Sequence, residues 1–121
     1  MANALNWFEI PAADIDRAAE FYGKILDVEL EVSEAMPGSK MTMFPAEGGV
    51  GGGIVSSEGY VPSTEGTLVY LNGGEDLSQV LDRVEGAGGK VVLPKTSIGE
   101  NGFMAFFIDS EGNKVGLHSN G

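Results

Sequence analysis

From Ala4 to Ile10 the chain runs Ala-Leu-Asn-Trp-Phe-Glu-Ile, dominated by aromatic and branched residues with no breaker before Pro11, which predicts a strand over 4–10. Ile15, Ala18, Ala19, Tyr22, Ile25 and Leu26 then recur at the spacing of one buried helical stripe, leaving Asp16, Glu20 and Lys24 for water. Asp14 sits where an N-cap belongs, able to accept from first-turn amides at the positive end of the helix. Short strands are predicted over 28–32, 40–45 and 50–55. The same order then starts again. Thr67 to Leu71 reads as a strand, Leu77, Val80, Leu81 and Val84 as a helical stripe, and 89–93, 103–108 and 113–118 as strands.

The second run shadows the first. Asp14 falls on Asp76, and under the same offset Ala18 falls on Val80, Ala19 on Leu81, Tyr22 on Val84 and Phe44 on Phe106. One further residue of shift brings Gly53 onto Gly116 and Ile54 onto Leu117. The pattern predicts one α+β domain over 1–121 made of two βαβββ modules, 4–55 and 67–118, joined by a Ser-, Gly- and Pro-containing linker over 56–66. Alternation along the first strand puts Trp7 and Glu9 on one face and Phe8 and Ile10 on the other, toward the helix. Glu9 is thereby expected on the concave side.

Composition narrows the classes of function. The chain has 121 residues, 42% hydrophobic and 21% charged, as an ordinary globular domain does. Seven Lys and Arg against eighteen Asp and Glu leave a net charge of −11, which repels phosphate backbones and anionic lipids, so neither nucleic acid nor membrane is an expected partner. No cysteine is present, which removes disulfides, thiolate nucleophiles and Cys-ligated metals. The start, Met1-Ala2-Asn3-Ala4, lacks the basic and apolar regions of a secretion signal, and a cytoplasmic location is the expectation. Nineteen glycines cluster at turns and strand ends. Gly51-Gly52-Gly53 is not followed by the Gly-Lys-Ser/Thr of a phosphate loop, and Ser56 and Ser57 have no His and Asp nearby in sequence for a hydrolase triad.

Three segments carry a resemblance: Trp7-Phe8-Glu9-Ile10-Pro11-Ala12-Ala13-Asp14 with Arg17-Ala18-Ala19-Glu20-Phe21-Tyr22, then Gly86-Ala87-Gly88-Gly89-Lys90-Val91, and Phe107-Ile108-Asp109-Ser110-Glu111-Gly112-Asn113. Together they resemble the vicinal oxygen chelate superfamily, which includes glyoxalase I, bleomycin-resistance proteins and extradiol dioxygenases. The resemblance implies two βαβββ modules forming a curved, cup-shaped mixed sheet with helices on the outside, and a homodimer. Metal-dependent members place His, Glu or Gln at one position on each of four strands. By the resemblance those positions fall on Trp7, near Gly53, on Val69 (or Thr67 if the register slips by two) and on Gly116, so no metal ligands and no cofactor are expected.

The leading expectation is a metal-independent protein that binds a small apolar or aromatic molecule between the modules, with Trp7, Glu9, Phe44, Val69, Phe103 and His118 as ligand-binding candidates. Tyr70, Met41, Met43 and Phe107 are further lining candidates. Tyr60 is a candidate lid or dimer contact, and the hairpin 97–102 is a candidate overhang. Lys40, Lys95 and Lys114 are the cations able to offset repulsion of an anionic ligand at the mouth. A glyoxalase- or isomerase-like enzyme using Glu9, with His118, for proton transfer is one alternative. A non-catalytic interaction module is another.

Overall fold

A computed structural model describes residues 3–121. Its elements run β1 (Trp7–Pro11), α1 (Ile15–Leu26), β2 (Ser33–Met36), β3 (Ser39–Met43), β4 (Gly51–Ser56), β5 (Tyr70–Asn72), α2 (Ser78–Val84), β6 (Lys90–Ser97), β7 (Phe103–Ile108) and β8 (Lys114–Ser119). Short 3₁₀ turns occupy Glu85–Ala87 and Gly99–Asn101. The strands form two four-stranded sheets of matching order, β1-β4-β3-β2 and β5-β8-β7-β6. In each, the first strand lies parallel to the fourth at a free edge and the remaining pairs are antiparallel.

Helix α1 starts where the sequence places it. Asp14 has extended backbone and accepts from the Arg17 N–H at 3.1 Å, offsetting one first-turn amide that would otherwise lack a partner. Its stripe, Ile15, Ala18, Ala19, Phe21, Tyr22 and Ile25, is buried. The helix closes on Asp27 in the left-handed region at φ 55, with its N–H donating to the Gly23 carbonyl. Helix α2 spans only seven residues, yet buries Val80, Leu81 and Val84.

Both helices and both sheets share one core. Ile10 and Ile54 meet Tyr22 and Ile25 there, and Leu71, Ala105, Phe107, Val115 and Leu117 come from the second sheet. The Phe21 ring lies 5.9 Å from that of Phe107, so α1 packs across the boundary between modules. Apolar burial is the main drive for that docking.

The joint is also tied by polar groups. Asp109, 4% exposed, accepts from the buried Tyr22 hydroxyl at 2.7 Å and from Asn113 Nδ2 at 3.0 Å. Asn113 Nδ2 also donates to the Pro11 carbonyl at 2.7 Å. Glu111 takes the N–H groups of Ala13 and Asp14 at 2.9 and 2.7 Å and the Arg17 guanidinium at 2.6 and 3.0 Å. The turn between β7 and β8 of one module therefore closes the N-terminus of the other module's helix. Burial opposes the charge on Glu111, but the Arg17 guanidinium, the Asp14 amide and the Ser110 hydroxyl outweigh it and hold the carboxyl below its ordinary value.

Two sequence expectations shift. The strand expected at 28–32 lies instead at Ser33–Met36, and β5 begins at Tyr70, not at Thr67. The Pro37-Gly38 turn sets β2: Gly38 has φ 80 and Met36 pairs with Ser39, so the hairpin draws its strand from the residues beside the turn.

Candidate functional site

Because β1 and β5 are both free edges, the two sheets meet with a gap, and a cavity of about 1050 Å³ lies there. Its helix-side lining is apolar, with Phe8, Phe44, Val69, Leu71 and Val115. Phe8 and Phe44 stack at 5.6 Å, and Phe44 meets Tyr22 edge-on at 5.4 Å, which fixes that part of the wall. Val61, Ser63 and Leu68, in the connection between β4 and β5, close one side. Glu9, Tyr70, Asn72 and Lys114, on the sheet faces turned away from the helices, supply the polar lining.

On the outer face of the first sheet, Trp7 is 43% exposed and lies over the strand beside it. A methyl at Gly51 would stand 3.3 Å from its ring, and one at Gly53 would stand 3.6 Å away, so the glycines form a floor for the indole. Trp7 Nε1 donates to one Glu9 oxygen at 3.3 Å and the Tyr60 hydroxyl donates to the other at 2.7 Å. The hydrogen bond to Glu9, and then its charge, raise the Tyr60 phenol above its usual pKa. The second sheet repeats the device, with Tyr70, 48% exposed, lying across Gly116.

The candidate residues separate into groups. Glu9, Phe44 and Val69 line the cavity, whereas Trp7 stands beside it on the outer face. Phe103 packs against the core beneath Lys95, whose ammonium is 4.5 Å from its ring, and does not line the cavity. His118 belongs to a second, smaller cavity of about 560 Å³ with Asn72, Asn101 and Asn120. Its Nε2 is 2.6 Å from the Asn101 carbonyl, so the hairpin 97–102 touches His118. Among the described residues Glu9 and His118 share neither a hydrogen bond nor a cavity.

The strand register corrects one assignment. Glu9 pairs with Gly53 and Tyr70 with Gly116, so Tyr70 is the counterpart of Glu9, while Val69 is the counterpart of Phe8 and turns toward the core. Leu68 to Leu71 are four apolar residues in succession, and alternation is silent there. Leu71 is the counterpart of Ile10, and both are buried.

The residues present do not fit the metal of the metal-dependent relatives. An indole and two glycines stand at Trp7, Gly53 and Gly116, and Leu68, which by the strand register is the counterpart of Trp7, carries an apolar side chain. The space a ligating side chain would need at Gly116 is filled by the Tyr70 ring, and at Gly53 by the Thr42 carbonyl and Met41. Among the described residues no three His, Asp or Glu side chains converge.

A two-sheet α+β chain with paired βαβββ modules and a cavity between them defines a class, and the comparisons agree. The chain belongs to the Glyoxalase/Bleomycin resistance protein/Dioxygenase superfamily, matching it over residues 4–117. It is 33% identical over 114 residues to a glyoxylase-like domain-containing protein of Didymella fabae, covering 90% of this chain and 88% of that one. A glyoxalase/bleomycin resistance protein from Albidiferax ferrireducens T118 superposes with a TM-score of 0.74 at 14% identity, covering 98% of this chain and 100% of that chain. A glyoxalase I mutant from Zea mays gives 0.71 at 22% identity, over 96% of this chain and 46% of that chain. Likeness at these identities establishes the fold. No helix among the described residues is long and apolar enough to cross a membrane.

Proposed function

We propose that the protein binds a small apolar or aromatic molecule, without a metal ion, in the cavity between its modules. The observation that carries this reading is the cavity itself: about 1050 Å³, walled by Phe8, Phe44, Val69 and Val115, with polar groups confined to Glu9, Tyr70, Asn72, Lys114 and a few linker and turn residues. Such an arrangement suits a ligand that buries a ring and leaves a polar end near water. Phe44 and Val69 serve as wall residues, Glu9 as a polar group at the mouth, and Trp7 and His118 as outlying side chains. A homodimer accompanies this proposal, resting on the family.

The neutral fluorescent probe N-phenyl-1-naphthylamine tests it. Saturable binding of one probe per chain is expected, and at about a hundred times Kd the folded state gains about 2.7 kcal/mol. Val69→Trp, which fills the cavity with indole, weakens binding at least severalfold while circular dichroism stays native. No saturable binding to the native protein overturns the reading. Proton transfer by Glu9 is the second reading, favoured by the placement of its carboxylate at the cavity.

A further inference from the structure

The cations of this acidic chain are unevenly provided for. Arg17 is paired with Glu111 at 2.6 Å, Lys24 with Glu20 at 3.2 Å and Lys95 with Asp76 at 2.9 Å. Arg83 donates to the Ile25 carbonyl at 3.0 Å. Lys114 lines the cavity, and among the described residues no carboxylate lies within 4.0 Å of its ammonium. Lys40, Arg83 and Lys90 likewise have no carboxylate within 4.0 Å among the described residues, but of the seven cations only Lys114 lines the cavity.

Lys95 supplies an internal comparison. Its ammonium lies 4.5 Å from the centre of the Phe103 ring and binds Asp76. Lys114 takes the same pose, 4.7 Å from the centre of the Phe106 ring, with Tyr70 packed against that ring at 5.9 Å. Two lysines are thus held over phenylalanines on the second sheet, and the chain supplies a carboxylate to one of them. An ammonium held over a ring stays oriented and keeps donors for an anion. The other charge at the cavity, Glu9, already accepts from Trp7 and Tyr60, one donor to each oxygen.

We propose that Lys114 selects the ligand's charge: the cavity takes an aromatic monocarboxylate, its ring among Phe8, Phe44 and Val69 and its carboxylate on the Lys114 ammonium. This rests on the cavity reading above and adds the ligand class to it. The net charge of −11 disfavours anions at long range. Selection for a carboxylate therefore has to come from a local contact, and Lys114 is the cation positioned to make it.

Three ligands of one shape decide the matter: naphthalene-2-carboxylate, neutral 2-naphthamide and 2-naphthylmethylammonium, each displacing N-phenyl-1-naphthylamine. The wild-type protein is expected to bind the carboxylate about tenfold more tightly than the amide, the size of a partly exposed charge-assisted hydrogen bond. Lys114→Met, which keeps an apolar stem over Phe106, is expected to bring the two to parity, the carboxylate losing its roughly tenfold advantage over the amide. Equal binding of carboxylate and amide by the wild type overturns the assignment, as does tightest binding of the ammonium. A preference that survives in Lys114→Met overturns it too. Because the wild-type comparison needs no variant, poor folding of Lys114→Met does not shelter the proposal. Failure of the fluorescent probe and the amide to bind at all strikes the cavity reading itself, which separates the two failures.

Discussion

The two helices of this protein begin in different hands. Helix α1 is capped by its own Asp14 and then by Glu111 from the other module, which takes two backbone amides and the Arg17 guanidinium. The start of helix α2 is supported from within its own module: Asp76 accepts from the Ser78 N–H at 2.9 Å and from Lys95, and the Ser119 hydroxyl takes the Leu77 N–H at 3.0 Å. The first module's corresponding turn, around Glu47 and Gly48, is exposed. One βαβββ pattern has thus been used twice with unequal roles. The turn of the second module has become the joint, and the first module's turn has been left as a loop. Since the cavity is the gap between β1 and β5, the spacing of its walls depends on that joint together with the shared core.

The sharpest way to break the asymmetry is at Asp109. Asp109→Ala removes the acceptor for the buried Tyr22 hydroxyl, for Asn113 Nδ2 and for the Glu111 and Asn113 amides. Stranding those donors is expected to cost about 3–4 kcal/mol in urea unfolding. Tyr22→Phe costs about 1 kcal/mol alone, and the pair should cost less than the sum, because each removes part of what the other leaves unsatisfied. Additive costs would show that the contact is not coupled. Glu111→Gln comes next, at about 2 kcal/mol near neutral pH. Its carboxyl is held below the ordinary 4.5 in the folded chain, so its contribution is present above that pH and disappears as pH falls through the lower folded value. The variant should therefore lose stability less steeply than wild type below pH 4.5. Parallel acid profiles would mean that Glu111 is not the group responsible.

Much of this was legible in the chain, for reasons that also explain the gaps. Ile10 and the Ile15-to-Ile25 stripe alternate cleanly with polar residues, so their faces could be read, and both are buried as the pattern requires. The outward placement of Trp7 and Glu9 follows from the same alternation. Where apolar residues run together the periodicity carries no phase. Phe103 to Phe107 are all apolar, and only the pairing of Phe106 with Gly116 and of Phe103 with Ser119 separates the outer ring from the one beneath Lys95. Val69 was misplaced by one residue for the same reason. Strand β2, Ser-Glu-Ala-Met, has no alternating core face to detect, and a turn defines it. The cavity was harder still, since it is a gap between two strand edges whose modules are joined by the shared core and by Glu111 and Asp109, residues about a hundred positions from β1.

The smallest effect belongs to the locally supported helix, and it sharpens the comparison most. The Lys95 ammonium, followed by the Ser78 amide, lowers the Asp76 carboxyl from 3.8 to about 2. A depressed carboxyl stabilises the fold above its unfolded value and stops doing so as the folded group protonates, which places its window between pH 3.8 and about 2. Asp76 and its partner Lys95 are both partly open to water, so solvent and salt screen the interaction. Asp76→Asn should therefore shift the melting temperature less than Glu111→Gln at neutral pH. Raising the salt concentration should erase most of the difference between Asp76→Asn and wild type, while the cost of Glu111→Gln persists, because the Glu111 side chain is 0% exposed. If Asp76→Asn proved as costly as Glu111→Gln at high salt, the second helix would have to be held as firmly as the first, and the joint would no longer be the feature that distinguishes the modules.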